Sequence, residues 1–263
     1  QKAKNPSLRH SDSSANSAFS SPITYVLPTR NRPEVLSRTL AALGSLPAHD
    51  AEVIVVDNGS DTRPDAPNTL ANGIALRVIE LDENIGAAAR NVGVRASDPG
   101  ASWIVMLDDD SHPRSAGFLR TLAAAPSEVL AISADIHLPS SARREDGGLP
   151  EVFIGCGVAI RRDAFLASGG YDPSFSYYVE EYDLAARLML MGGRVAFEPS
   201  FDVEHHKVAA GRDMDLILAR LIRNNGWVAQ RYCPESERRA ELRRLRARYR
   251  AIAEKERAVA GFT

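Results

Sequence analysis

Short apolar runs recur along the first half of the chain, each followed by polar, turn-forming residues and then by a helical periodicity. The run over 23–27 predicts a strand. It ends in Pro28-Thr29-Arg30-Asn31-Arg32-Pro33 and leads into a helix carrying Leu36, Leu40 and Leu43 on one face. Asn31 suits the N-cap of that helix and Pro33 its first turn, where a missing N–H costs nothing. Further strands are predicted over 53–56, ending at Asp57-Asn58-Gly59-Ser60-Asp61, and over 76–81, leading to Asn84-Ile85-Gly86 and an Ala-rich helix. A fourth, over 104–107, delivers Asp108, Asp109 and Asp110 to its carboxyl end. Strands alternating with helices predict an α/β fold built on a Rossmann-like, mostly parallel sheet flanked by helices. In such a sheet ligands bind outside the carboxyl ends of the strands, where all four polar loops fall.

Beyond residue 110 the pattern loosens. A strand is expected over 129–134, a polar loop over 140–148 and a strand over 152–160 interrupted by Gly155 and Gly157, glycines that signal a bulge or a close backbone approach. Gly169-Gly170-Tyr171-Asp172 and an aromatic stretch through Tyr177 and Tyr178 precede Glu180-Glu181-Tyr182-Asp183. Leu184, Leu188 and Met191 then follow at helical spacing until Gly192-Gly193, so the acids open a helix. From residue 211 the chain reads as a polar, Arg-rich C-terminal helical extension. Residues 1–21, rich in Ser and Asn, read as a flexible N-terminal tail. The expected organisation is this tail, a catalytic domain over 22–210 divided into halves at residue 110, and the extension over 211–263.

Composition narrows the function. The chain has 263 residues with 32 Lys and Arg against 34 Asp and Glu, a balance that gives no general attraction to nucleic acid. Two cysteines, Cys156 and Cys233, make neither a disulfide framework nor a zinc cluster, and Cys156 reads as a small buried residue. With no apolar run long enough to span a bilayer, the expected location is cytoplasmic, including the inner face of the membrane if the arginines of the last helix meet anionic lipid. That helix could equally be a solvated one laced with i,i+4 ion pairs, or pair two copies of the chain.

The acids carry the chemistry. Adjacent carboxylates raise one another's pKa unless a cation screens them, and a hard divalent ion such as Mn²⁺ or Mg²⁺ takes oxygen ligands that it can share with a phosphate. Asp108, Asp109 and Asp110 are therefore candidates for a metal and phosphate site, with a solvated turn as the plain alternative. Glu180 and Glu181 could act in proton transfer or simply favour a helix N-terminus.

In order and interval these segments resemble glycosyltransferase family 2, whose members have the GT-A fold. The resemblance rests on Pro28-Thr29-Arg30-Asn31-Arg32, Val56-Asp57-Asn58-Gly59-Ser60, Asn84-Ile85-Gly86 with Arg90-Asn91-Val92-Gly93, Asp108-Asp109-Asp110, Gly169-Gly170-Tyr171-Asp172 and Glu180-Glu181-Tyr182-Asp183-Leu184. It implies transfer of a sugar, with inversion, from a nucleoside diphosphate donor (a UDP- or dTDP-sugar) to an acceptor hydroxyl on a glycan, glycolipid or small molecule. It places Pro28, Thr29, Arg32, Asp57, Asn84, Arg90, Asp108 and Asp109 against the nucleotide and Asp110 on the metal, with His205, in preference to His206, as a further ligand. Glu181 would be the general base and Glu180 its neighbour at the acceptor. Many members have Glu-Asp where this chain has Glu180-Glu181, a base one methylene longer. A sugar-phosphate nucleotidyltransferase is the rival enzyme, although the turn after the first strand lacks the glycines of its phosphate loop. A non-catalytic sugar-nucleotide-binding module is the other rival.

Overall fold

The computed structural model describes residues 22–145, 147–149, 151–207 and 213–262; the expected tail over 1–21 and the expected boundary at 210 and 211 lie outside them. In chain order the strands are β1 (Ile23–Thr29), β2 (Ala51–Asn58), β3 (Ala75–Leu81), β4 (Trp103–Met106), β5 (Ser111–Pro113), β6 (Val129–Leu138), β7 (Arg143–Glu145), β8 (Val158–Arg161) and β9 (Arg194–His205). The helices are α1 (Pro33–Gly44), α2 (Ala89–Ala96), α3 (Phe118–Ala124), α4 (Arg162–Ala167), α5 (Glu180–Leu190), α6 (Met214–Tyr232) and α7 (Glu235–Glu256).

One sheet runs β3-β2-β1-β4-β8-β6-β9-β5, with β7 paired to β6. The first four strands are parallel, as the alternating pattern predicts; β8 runs antiparallel to β4 and β6, and β5 antiparallel to β9, so the second half is mixed. The parallel strands read as unbroken apolar runs because both faces are covered. Tyr25, Val53 and Val105 join the core on the side of α1, through Leu36, Leu40 and Leu43. Val26, Ile54 and Ile104, one residue along each strand, join the opposite core with Val94 of α2 and Leu184 and Leu188 of α5. Helices α6 and α7 have a small core of their own around Leu218, Leu245 and Tyr249.

Three local expectations change. Asn31 is not the N-cap of α1: Arg32 holds that position, and Asn31 adopts φ 53°. Asparagine tolerates this left-handed backbone, and its side chain instead exchanges hydrogen bonds with Asp61 across the neighbouring strand end. The strand expected over 152–160 is confined to Val158–Arg161, since Gly155 packs against Arg90 and Glu181 and leaves the ladder. The polar loop over 140–148 contains β7.

Candidate active site

The carboxyl ends of β1 and β4, the N-termini of α2 and α5, the end of β9 and the edge strand β7 converge on one open cavity of ≈ 860 Å³. Arg32, Arg90, Asp108, Asp110, Glu180, Glu181 and His205 all line it, so the two acidic groups separated by seventy residues of sequence share one wall system. A smaller depression of ≈ 220 Å³ continues from it under Pro28, Thr29, Asn58, Gly86 and Asp109, sharing Arg32, Arg90 and Asp108 with the larger cavity.

The aspartates are met by cations. Arg32 forks across Asp109 and Asp110, with NH1 2.5 Å from Asp109 Oδ1 and NH2 2.7 Å from Asp110 Oδ2. The Thr29 hydroxyl donates to the other Asp109 oxygen at 2.8 Å, and Arg90 pairs with Asp108. Burial pushes Asp109 up to about 6 in spite of Arg32. Burial would raise Asp110 as well, but hydrogen bonds from His205 and Arg32 outweigh it and hold this carboxyl at about 2.

His205 Nε2 stands 3.2 Å from Asp110 Oδ1, and its Nδ1 is 2.8 Å from Glu145 Oε2. Burial opposes its positive charge, but its contacts with Asp110, Cys156 and Glu145 push the imidazole up to about 12. Glu145 is in turn bound by Lys207 at 2.5 Å. Those two cations overcome its burial and hold it at about 2. A carboxylate on the far nitrogen of a histidine is how metal-ligating imidazoles are commonly oriented. Asp110 and His205 in contact, with Asp108 within ligand distance of His205, offer oxygen and nitrogen donors that could hold Mn²⁺ or Mg²⁺. Cys156 also comes within ligand distance of Asp108 and His205, but burial raises its thiol to about 11, and a neutral thiol is a poor partner for a hard cation.

The glutamates are in the opposite condition. Glu180 is buried at 6% exposure, and its Oε2 has no hydrogen-bond partner among the described residues. Glu181 accepts from the Gly155 N–H at 3.2 Å. Burial, and then repulsion from Glu181, raises Glu180 well above the ordinary carboxylate range. Burial raises Glu181 too, against backbone hydrogen bonds that lower it. Gly155 lies beside both groups: a β-carbon there would sit 3.4 Å from Arg90 Cζ and from Glu181 Oε1, in ordinary contact.

The segment before the glutamates is strained. Ser176, Tyr178 and Val179 all have φ between 62° and 72°, a backbone that costs non-glycine residues energy and needs outside support. Support comes from α6: the side-chain amide of Asn224, fully buried, faces the carbonyls of Phe175, Tyr177 and Tyr178 at 2.7–3.0 Å. Arg231 pairs with Asp172 and Asp183. Gly86, at φ 68°, passes so close to the Ser176 carbonyl that a β-carbon would lie 2.4 Å from it.

Asp57 and Asn84 shape the loops at the cavity's back: Asp57 accepts from Ser60 N–H, and Asn84 receives Gly86 N–H and the Tyr177 hydroxyl. Sequence reasoning missed Glu145, Lys207 and Asn224, and it missed Asn225 and Tyr249 of the C-terminal helices, which line the larger cavity. A lone glutamate in a polar loop and an asparagine on a polar helix carry no local signal. The Arg-rich helix α7 shows ion pairs along its own length, Arg244 with Glu241 and Arg250 with Glu254, as a solvated helix does. Among the described residues no helix is long and apolar enough to cross a membrane.

A mixed sheet that gathers acids, arginines and a histidine at its carboxyl edge is the GT-A architecture. Solved structures agree: a mannosyltransferase from Pyrobaculum calidifontis, in complex with GDP-Man and Mn²⁺, superposes with TM-score 0.59 at 16% identity, covering 89% of this chain and 75% of that one. GalNAc-T7 with UDP, GalNAc and Mn²⁺ superposes with TM-score 0.63 at 15% identity, covering 87% and 54%. The sequence pattern of "Glycosyl transferase family 2" matches residues 24–129, the part of the chain that holds the parallel strands and the three aspartates. A pre-mycofactocin glycosyltransferase of Mycobacterium tuberculosis is 27% identical over 215 residues, 73% of this chain and 44% of the relative, so the chain spans less than half of that protein. An N-acetylglucosaminyl-diphospho-decaprenol L-rhamnosyltransferase of the same organism is 27% identical, over 68% of this chain and 74% of its own length.

Proposed function

We propose that the chain transfers a sugar, with inversion, from a nucleoside diphosphate donor, a UDP- or dTDP-sugar, to an acceptor hydroxyl. The observation that carries this reading is the shared cavity, which Asp108, Asp110 and Glu181 all line. The donor half over 22–110 supplies Arg32, Arg90 and the aspartates. The acceptor half over 111–210 supplies the glutamates, and the extension from 211 onward closes the cavity with Asn225 and Tyr249.

Pro28, Thr29, Asp57, Asn84 and Asp109 form or support the nucleotide side, with Arg32 and Arg90 as counter-charges for the diphosphate. Asp110 and His205, with Asp108 beside them, would hold a divalent cation, which when bound neutralises charge on the departing diphosphate. Glu181 accepts the proton of the acceptor hydroxyl as its oxygen attacks the anomeric carbon from the face opposite the diphosphate, and this approach inverts the centre. Its raised affinity for protons suits that role, because a general base works best with a pKa near the working pH. Glu180, one residue away, faces the acceptor's other hydroxyls. Mn²⁺ with GDP-Man in one related structure, and with UDP and GalNAc in another, all bound to those proteins, support a divalent cation and a nucleoside diphosphate as ligands.

Hydrolysis and transfer with UDP-, dTDP- and GDP-sugars, each with and without Mn²⁺, test the proposal. Metal-dependent consumption of at least one donor is expected; failure of every donor to bind or react with metal present would overturn it.

A further inference from the structure

Strand alternation sends neighbouring residues of β9 to opposite faces. His205 therefore faces Asp110 and the cavity, while Glu204 and His206 point the other way. In the antiparallel ladder His112 of β5 lies directly opposite Glu204. Glu204 of β9, His112 opposite it on β5 and His206 just past the end of β9 thus bring two imidazoles and a carboxylate to one face.

Their ligand atoms meet. His206 Nε2 is 3.2 Å from Glu204 Oε2 and His112 Nε2 is 3.9 Å from the same oxygen, and the three ligand atoms lie within 4.8 Å of one another. The two rings stack at 5.4 Å between centroids with 25° between their planes, which brings both Nε2 atoms to the same side. Arg114 occupies the other carboxylate oxygen, Oε1, at 3.2 Å and leaves Oε2 to the imidazoles. Zinc with nitrogen and oxygen ligands at about 2.0–2.1 Å requires ligand atoms about 3.3 Å apart in a tetrahedron. One contact already has that spacing, and the others close by side-chain rotation. The pair of histidines borders a second cleft of ≈ 410 Å³ with Val35, Arg38, Thr39 and Asp110, the first and last of which also line the larger cavity; it leaves room for a fourth ligand, and Arg38 supplies a counter-charge if that ligand is an anion.

We propose that His112, Glu204 and His206 form a second cation site, selective for a borderline transition metal such as Zn²⁺, Ni²⁺ or Co²⁺. Two imidazoles and one carboxylate favour these ions over Mg²⁺ or Mn²⁺, which prefer all-oxygen shells. The three ligands differ from those proposed for the donor's cation, yet the site adjoins them through Asp110. The His206 N–H donates to the Asp110 carbonyl at 2.8 Å, so a cation there would staple β5 to β9 beside Asp110 and His205.

The test is Zn²⁺ titration of the metal-depleted full chain against a chromophoric chelator, with Co²⁺ absorption spectra as a second readout and circular dichroism to confirm folding. The Asp110→Ala/His205→Ala double variant is expected to keep one Zn²⁺ equivalent and its Co²⁺ spectrum. Adding either His112→Ala or His206→Ala should weaken that equivalent at least about tenfold. Zinc affinity and stoichiometry unchanged by loss of both His112 and His206 would overturn the site, as would a Zn²⁺ equivalent that disappears with Asp110 and His205 alone. Neither result depends on whether any sugar nucleotide reacts.

Discussion

Two acidic groups face one cavity in opposite electrostatic conditions. Asp109 and Asp110 are clamped by one guanidinium, with a threonine hydroxyl and an imidazole on their remaining oxygens. Glu180 and Glu181 have a backbone N–H and a buried oxygen with no partner among the described residues. On the aspartate side Asp110 is arranged to hold charge, because its cations pull it down to about 2, whereas burial leaves its neighbour Asp109 up at about 6. The glutamate side is arranged to hold a proton, because burial and like charge push both groups up. Division of labour between carboxylates in one site follows from environments of this kind.

The contrast breaks first at Glu181. Glu181→Gln removes the proton acceptor and keeps its volume, so transfer should fall by about 10²- to 10⁴-fold while donor affinity, measured by calorimetry, stays unchanged. Equal losses of binding and turnover would place Glu181 on the donor side. Next in size is the support of His205. Glu145→Gln should weaken divalent-metal affinity by about 10- to 100-fold and leave metal-free nucleotide binding intact. Metal affinity insensitive to that change would separate His205 from the cation.

The pH profile sharpens the same comparison. A base must be ionised to work, so kcat/KM should fall as pH is lowered, with an apparent pKa above the ordinary glutamate value of about 4.3. The pair titrates together. Glu180, raised further by the Glu181 charge, is still protonated while Glu181 ionises, so Glu180→Gln should leave this acid limb in place. A limb that moves to lower pH would show that Glu180 is ionised beside the base. The smallest effect concerns the strained segment ahead of the glutamates. Asn224→Ala leaves the Tyr177 and Tyr178 carbonyls without this donor, while that of Phe175 keeps Arg223, and should lower stability by about 1–3 kcal/mol, read from chemical denaturation. A neutral result would mean that the backbone at Ser176, Tyr178 and Val179 is supported elsewhere.

The half over 22–110 was legible in the sequence because its strands are covered on both faces and so appear as continuous apolar runs, each ending in a polar loop. Asp108, Asp110, Arg32 and Glu181 were found there or by family interval, and all four line the cavity. The other half hides its structure for definite reasons. β9 carries Pro199, which cannot donate to a ladder, and its register with β6 shifts between Glu198 and Asp202, so no simple alternation marks the strand. Without the span of β9, the opposite faces of His205 and His206 could not be assigned. β7 has three residues, and Glu145 acquires meaning only through Lys207 and His205, sixty or more positions away. Asn224 likewise looks like one more polar residue on a polar helix until the carbonyls it faces are known.

The account turns on a donor lying between the two acidic groups. A crystal structure with a UDP- or dTDP-sugar and Mn²⁺ tests this most directly. The expected result is a diphosphate beside Asp110, His205 and Arg32, with the Glu181 carboxylate facing the anomeric carbon from the opposite side. A diphosphate bound away from Asp110, or Glu181 on the same face as the leaving group, would contradict the account.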